Sequence, residues 1–165
     1  MLRRLSTGHV IWKTEDGACG SLSPQVIDML TSWTQRETFS NEAGGLILGF
    51  IDLNTDGLLA ESLTVPGRGD KRSRTSFFRS ARHQHEAEQW NKENGGRGTQ
   101  LGLWHTHPEP QPTPSGVDLN DCDKALKNGT FYSGGLLYLI VGTSTIGCWY
   151  ARPRKSLNFL GHFEP

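Results

Sequence analysis

LGLWHTHPEPQPTPSGVD, residues 101–118, is the stretch around which this chain is organised. Its first half is apolar and ends in His105 and His107. Its second half carries Pro108, Pro110, Pro112 and Pro114 and leads to Ser115 and Asp118. Residues i and i+2 of a strand project to one face. A strand here therefore offers both imidazoles to one side and turns Trp104 and Thr106 to the other. Ser115 with Asp118 three residues on reads as a helix start, with Asp118 in place of the capping-box glutamate. Asp118 would complete a His, His, Asp set. Two neutral nitrogens and a carboxylate suit zinc, and three protein ligands leave a fourth position open, as a catalytic ion requires. Each part also has a plainer reading: two ordinary strand histidines, a simple helix cap, and a polyproline II connector.

Upstream, in NEAGGLILGF at residues 41–50, Glu42 stands before a glycine pair and an aliphatic run over 46–51. Glu42, H-x-H-P at 105–108 and S-x-x-D at 115–118 together resemble the JAMM motif of the MPN (Mov34/PAD-1) zinc metallopeptidases. The E-x-G-G-x-x-L-G form around Glu42 and the aliphatic-Trp approach to the histidines resemble that family as well. Thr106 stands where many relatives have Ser, on the side away from the ligands. No motif residue is missing, unlike in the inactive MPN scaffolds.

The resemblance implies an α/β (α+β) architecture of the MPN/JAMM, cytidine-deaminase-like kind: a central mixed sheet flanked by helices, as one domain over residues 1–165. It also implies one Zn2+ per chain on His105, His107 and Asp118. Glu42 would be general base and then general acid, and Ser115 a donor to the tetrahedral oxyanion. On charge alone Glu61 and Glu109 are also candidate bases, and Glu109, in the loop beside the ligands, is the real competitor. The implied reaction is hydrolysis of an isopeptide bond between a protein C-terminus and a lysine amine. A short bacterial-style chain of this kind is similar to the deconjugating peptidases of CBASS anti-phage systems. There a ligase-like enzyme conjugates the C-terminus of a nucleotidyltransferase (CD-NTase) and the peptidase removes it. The implied partner is a protein carrying such a conjugate, a ubiquitin-like protein or a CD-NTase. Two other classes stay open: a non-catalytic MPN scaffold, and a metallohydrolase acting on a small molecule or a sulfur-carrier protein.

With 165 residues the chain can bury a core without staples. Seventeen basic residues balance 17 acidic ones, so no overall field argues for nucleic acid or a membrane surface. No apolar h-region follows Leu2, Arg3 and Arg4, and no run is long enough to span a bilayer. Cys19, Cys122 and Cys148 are odd in number and widely spaced, which favours a reduced, cytoplasmic protein. Cys122 reads as a core residue near the ligand face.

Strands are expected at 9–13, 46–51, 58–65, 136–141 and 145–151, the second and third forming a hairpin with Glu42 at its entry. Ser23-Pro24 starts a helix with Val26, Ile27, Leu30 and Trp33 on one face. A polar helix is expected over 81–91, on which His83 and His85 diverge, and another continues from Asp118 to about Asn128. Residues 131–135 read as a loop, and the tail from Arg152 has no clear element. The segment 66–82 carries Arg68, Lys71, Arg72, Arg74, Arg79 and Arg82. It reads as a solvated loop and a strand around Phe77 and Phe78, or as an arm beside the site; in the resembling family an insertion here helps hold the distal modifier. Its basic part from Arg68 to Arg82 and the loop 108–114 are expected to form the two walls of a groove for an extended C-terminus, Arg72 and Arg74 binding substrate.

Overall fold

The aliphatic strands form the middle of a nine-stranded mixed sheet. The computed structural model describes residues 1–129, 131 and 134–165. In chain order the elements are β1 (Leu2–Arg4), β2 (Val10–Lys13), β3 (Cys19–Leu22), α1 (Pro24–Ser32), β4 (Gly44–Ile51), β5 (Leu58–Leu63), β6 (Lys71–Ser73) and β7 (Ser76–Phe78). There follow α2 (Arg82–Glu93), β8 (Thr99–Thr106), α3 (Gly116–Asn128), β9 (Leu136–Val141), β10 (Ile146–Ala151) and β11 (Asn158–Phe163). The large sheet runs β1-β2-β3-β5-β4-β8-β9-β10-β11, while β6 and β7 form a separate hairpin. Its neighbours are antiparallel except β3 with β5 and β8 with β9. A parallel pair needs a crossover; α3 supplies the one between β8 and β9.

Alternation places the core on both faces of the sheet. In β9, Leu137, Leu139 and Val141 join the cluster that takes Val26, Ile27 and Leu30 of α1. Leu136, Tyr138 and Ile140 join the opposite cluster, with Ala87 of α2 and Cys122 of α3. In β8 a bulge at Leu101 resets the register against β4. From there Leu103 faces the α3 side and Trp104 the α1 side, so the phase that carries His105 and His107 toward α3 is set before they are reached.

The helix start at Ser23 is as expected: its hydroxyl accepts from Val26 N at 3.3 Å, with Pro24 in the first turn. The strand expected over 58–65 ends at Leu63. There Thr64 turns inward, its hydroxyl accepting from Leu46 N at 2.7 Å while its carbonyl accepts from Trp104 Nε1 at 2.9 Å. Gly45 makes this possible, since a Cβ there would lie 2.1 Å from the Thr64 carbonyl oxygen. The loop expected over 131–135 lies partly outside the described residues. The tail left without an element forms β11 on β10, and Gly161 packs against Leu2 of β1. Among the described residues no helix is long and apolar enough to cross a membrane.

The base of the hairpin β6–β7 is fixed by buried polar groups. Asp70 accepts from Ser80 N and Gly67 N, each at 2.8 Å, and from His83 Nε2 at 3.0 Å. The other ring nitrogen of His83, Nδ1, meets the Thr64 hydroxyl at 2.6 Å. Burial holds His83 below its ordinary range against the pull of Asp70, so it serves as a neutral bridge. Burial alone would raise Asp70, but its hydrogen bonds outweigh that and hold it well below the carboxylate range. Its contribution to stability is therefore complete above the ordinary value of 3.8 and is lost as pH falls through the depressed one. Asp70→Asn should cost about 3 kcal/mol at neutral pH and flatten the acid limb of stability, as read from urea unfolding at a series of pH values.

Candidate active site

The end of β8, the first turn of α3 and the segment before β4 converge on one cleft. His105 Nε2 and His107 Nε2 lie 2.9 Å apart. His105 Nε2 is 3.1 Å from Asp118 Oδ1, and His107 Nε2 is 3.2 Å from Asp118 Oδ2. Ligands about 2.05 Å from a tetrahedral ion stand about 3.3 Å from one another. Each histidine faces a different oxygen of Asp118, and the three separations are close to this spacing; one donor atom from each residue lies within 4.8 Å of the others, so the three residues could hold a small divalent cation between them. Both histidines are buried, and with Asp118, Glu42 and Ser115 they line a cleft of about 360 Å3.

The hairpin register brings Glu42 to the same place. Gly44 pairs with His105, and the Thr106 N–H donates to the Ala43 carbonyl at 2.9 Å. Carrying this register on one residue sets Glu42 opposite His107 on the ligand face. Its carboxyl is buried, and desolvation, with the Asp118 charge assisting and His107 opposing, pushes its pKa up to about 7. Burial also lowers His105, against Asp118. It would lower His107 too, but Asp118 and Glu42 more than offset it and that ring is raised. Asp118, despite burial, is held far below the carboxylate range by the two histidines.

Ser115 is the N-cap of α3 in extended conformation. Its hydroxyl accepts from Asp118 N at 3.2 Å, and its N–H donates to Asp118 Oδ2 at 2.6 Å. Capping uses an acceptor site of the hydroxyl and leaves its proton to donate, so the cap and the donor readings are compatible. The same box fixes the Asp118 rotamer toward the histidines. Among the described residues the buried His107 Nδ1 has no hydrogen-bond partner, and Glu109 Oε2 stands 3.9 Å from it. Ligating histidines give their second N–H to such groups. Glu109 thus stands on the Nδ1 side of His107, away from the Nε2 atom that faces Asp118, whereas Glu42 is coupled electrostatically to both His107 and Asp118.

Residues 25–153 match the family described as prokaryotic homologs of the JAB domain. The chain belongs to that family. The JAB match runs from α1 to just beyond β10 and holds the whole cleft. Three curated relatives are each named CD-NTase/cGAS isopeptidase. The Escherichia coli protein is 31% identical over 133 residues, 80% of either chain. The Pseudomonas aeruginosa protein is 36% identical over 104 residues, 62% of this chain and 64% of that one. The Vibrio cholerae protein is 26% identical over 154 residues, 93% of this chain and 94% of that one. A solution structure of a Desulfitobacterium hafniense protein superposes with a TM-score of 0.60 at 22% identity, covering 84% of this chain and 87% of the other. That likeness concerns the fold.

Within the JAB domain the hairpin β6–β7 and the residue after it line the cleft through Phe77, Phe78 and Arg79, and the start of the 108–114 loop lines it through Pro108 and Glu109. Arg72 and Arg74 do not line it. Arg72 Nε donates to the Glu42 carbonyl at 2.7 Å and its guanidinium lies over the Trp33 ring; the Arg74 carbonyl accepts from Gln35 Nε2 at 3.1 Å. The basic side chain in the cleft is Arg79, held to both oxygens of Asp121 at 2.8 and 2.7 Å. His83 and His85 diverge, the first buried on Asp70 and the second exposed. Cys122 is buried, its thiol pushed up to about 12 by burial, as suits a core residue. Sequence reasoning did not single out Gln35, Tyr138 or Asp70. Nothing local marks the first two, whereas GRGD at 67–70 carries the signature of a turn.

Proposed function

We propose that this chain is a zinc-dependent isopeptidase with one Zn2+ on His105, His107 and Asp118. It would hydrolyse the bond between the C-terminal carboxyl of a conjugated protein and a lysine amine. The names of the relatives support a CD-NTase as the protein joined through its C-terminus, and with it a role in anti-phage defence in the cytoplasm, the chain acting as a single domain over residues 1–165. The observation that carries the proposal is a buried glutamate, poised near neutrality, on the face where three metal-binding side chains meet.

Zinc held there would polarise the scissile carbonyl and bring the pKa of a bound water to about 7. Glu42 takes the proton of the attacking water as its oxygen bonds to the carbonyl carbon. The Ser115 hydroxyl donates to the oxyanion, an interaction that strengthens as charge develops. As the C–N bond breaks, Glu42 returns the proton to the lysine nitrogen, leaving a carboxylate and an amine. Tyr138, buried against His105, and the capping box keep the ligands oriented.

The tail would lie along β7, which borders the cleft and, among the described residues, pairs only with β6. Main-chain addition to such an edge holds a peptide with little demand on side chains. Phe77, Phe78, Pro108 and Val117 are apolar, and Arg79 is neutralised by Asp121. An uncharged tail suits this lining. The test is cleavage of a CD-NTase joined to a lysine side chain through its C-terminus, with the free carboxyl end identified by mass. Failure of the zinc-loaded protein to cut it overturns the proposal.

Ser115→Ala separates two contributions. Loss of the cap should cost about 1 kcal/mol of stability, and loss of the donor should slow turnover by about a hundredfold. Thermal unfolding and single-turnover kinetics measure the two independently.

A further inference from the structure

Glu42 carries the chemistry, yet the residues that hold it come from elsewhere in the chain. Its N–H donates to the Ser73 carbonyl of β6 at 2.7 Å, and its carbonyl accepts from Arg72 Nε at 2.7 Å. A second Arg72 nitrogen reaches the Asn41 carbonyl at 3.4 Å, and the guanidinium stacks on Trp33, its carbon 5.6 Å from the ring centre. Deeper in, Gln35 is 3% exposed and joins three segments. Its Nε2 donates to the Ser40 carbonyl at 3.0 Å and the Arg74 carbonyl at 3.1 Å, while its Oε1 accepts from the Thr106 hydroxyl at 2.8 Å. Thr106 lies between the two histidines, and its hydroxyl also accepts from Ala43 N at 3.0 Å.

We infer that Arg72 and Gln35 are positioning residues that mount the base on the β6–β7 hairpin and tie it to the strand of ligands. Gln35 fixes the depth of the Glu42 segment relative to His105 and His107. Arg72 clamps the peptide on either side of the Asn41–Glu42 bond to the hairpin, using fixed guanidinium geometry and an aromatic platform that a lysine cannot reproduce. The hairpin thus borders the cleft through Phe77 and Phe78 of β7 and holds the base through Arg72 and Ser73 of β6, so a change in the hairpin reaches Glu42 without crossing the metal ligands. This role differs from a contact with substrate: it acts on the bound complex and is independent of the charge of the tail.

The inference rests on the isopeptidase reading, and wild-type cleavage of the conjugate is its control: without that cleavage it is the proposed function that fails. With it, Arg72→Ala and Arg72→Lys are compared with wild type in zinc content, thermal unfolding, and kcat and KM at low and high salt. Misplacing a catalytic group by about 1 Å costs up to a hundredfold in rate. Both variants should lose kcat by about tenfold or more, with KM, zinc content and salt dependence unchanged. Arg72→Lys keeps the charge, so full rescue by lysine, or a rise in KM that grows with salt, would make Arg72 a charge contact to substrate and overturn the inference. Unchanged kcat in both variants would overturn it as well. Gln35→Glu retains the acceptor for Thr106 and removes both donors; the fraction that folds, quantified by its zinc content, should show the same loss confined to kcat. Full kcat in that folded fraction would remove Gln35 from the role.

Discussion

Glu42→Gln should keep its zinc and lose turnover by about a thousandfold. Glutamine preserves the size of the side chain and leaves intact the main-chain bonds that residue 42 donates to Ser73 and accepts from Arg72, which do not depend on the carboxylate. What it removes is the capacity to take a proton from water and return it to the leaving amine. The buried carboxyl, with its pKa near 7, is suited to both transfers at neutral pH. Glu109→Gln is the control. Its carboxylate lies 3.9 Å behind His107, so its loss should weaken zinc affinity, by up to about tenfold, with most of the turnover kept at saturating zinc. An active Glu42→Gln beside a dead Glu109→Gln would exchange the two assignments. Single-turnover cleavage with elemental analysis of each variant settles the comparison.

His105→Ala and His107→Ala should each lose metal and activity together. The two Nε2 atoms stand 2.9 Å apart, and each faces one oxygen of Asp118, at 3.1 Å from His105 and 3.2 Å from His107. Removing one histidine leaves two ligands, too few for a stable zinc site in a position built for three. Activity should be undetectable, and elemental analysis should find well under one zinc per chain. A chelator applied to the wild type should reproduce the defect and added zinc should reverse it. Full occupancy in either alanine variant would remove that histidine from the ligand set.

What could be read from sequence followed from local rules. The period of two put His105 and His107 on one face, and the cap signature put Asp118 in the first turn of α3, where the structure has them. Placing Glu42 needed the motif, because its position opposite His107 depends on the pairing of β4 with β8, about 60 residues apart in sequence. Arg72 read as a charge with a use for substrate, and it is indeed exposed. Its actual partners, Trp33 and the Glu42 carbonyl, lie 30 residues or more away, and no spacing rule connects them. Gln35 follows a helix end and has no periodic context at all. The tail escaped notice for a different reason. β11 carries an extra residue, Leu160, against β10, so its apolar positions do not alternate as a regular strand would.

The packing of β11 against β1 has a consequence for how this scaffold can be rebuilt. Gly161 rests on Leu2, and Arg4 Nη1 donates to the Glu164 carbonyl at 2.8 Å, so the first and last strands are neighbours across the closed side of the sheet. Neighbouring ends of this kind tolerate being joined, with new ends opened at an exposed turn. The turn at Asn54 and Thr55 lies beyond the far end of β4 from Glu42 and is exposed. A circular permutant opened there would move a tag or fusion partner away from β11. That matters because His162 of β11 meets the Pro112 carbonyl at 2.9 Å and so ties this last strand to the loop that follows His107.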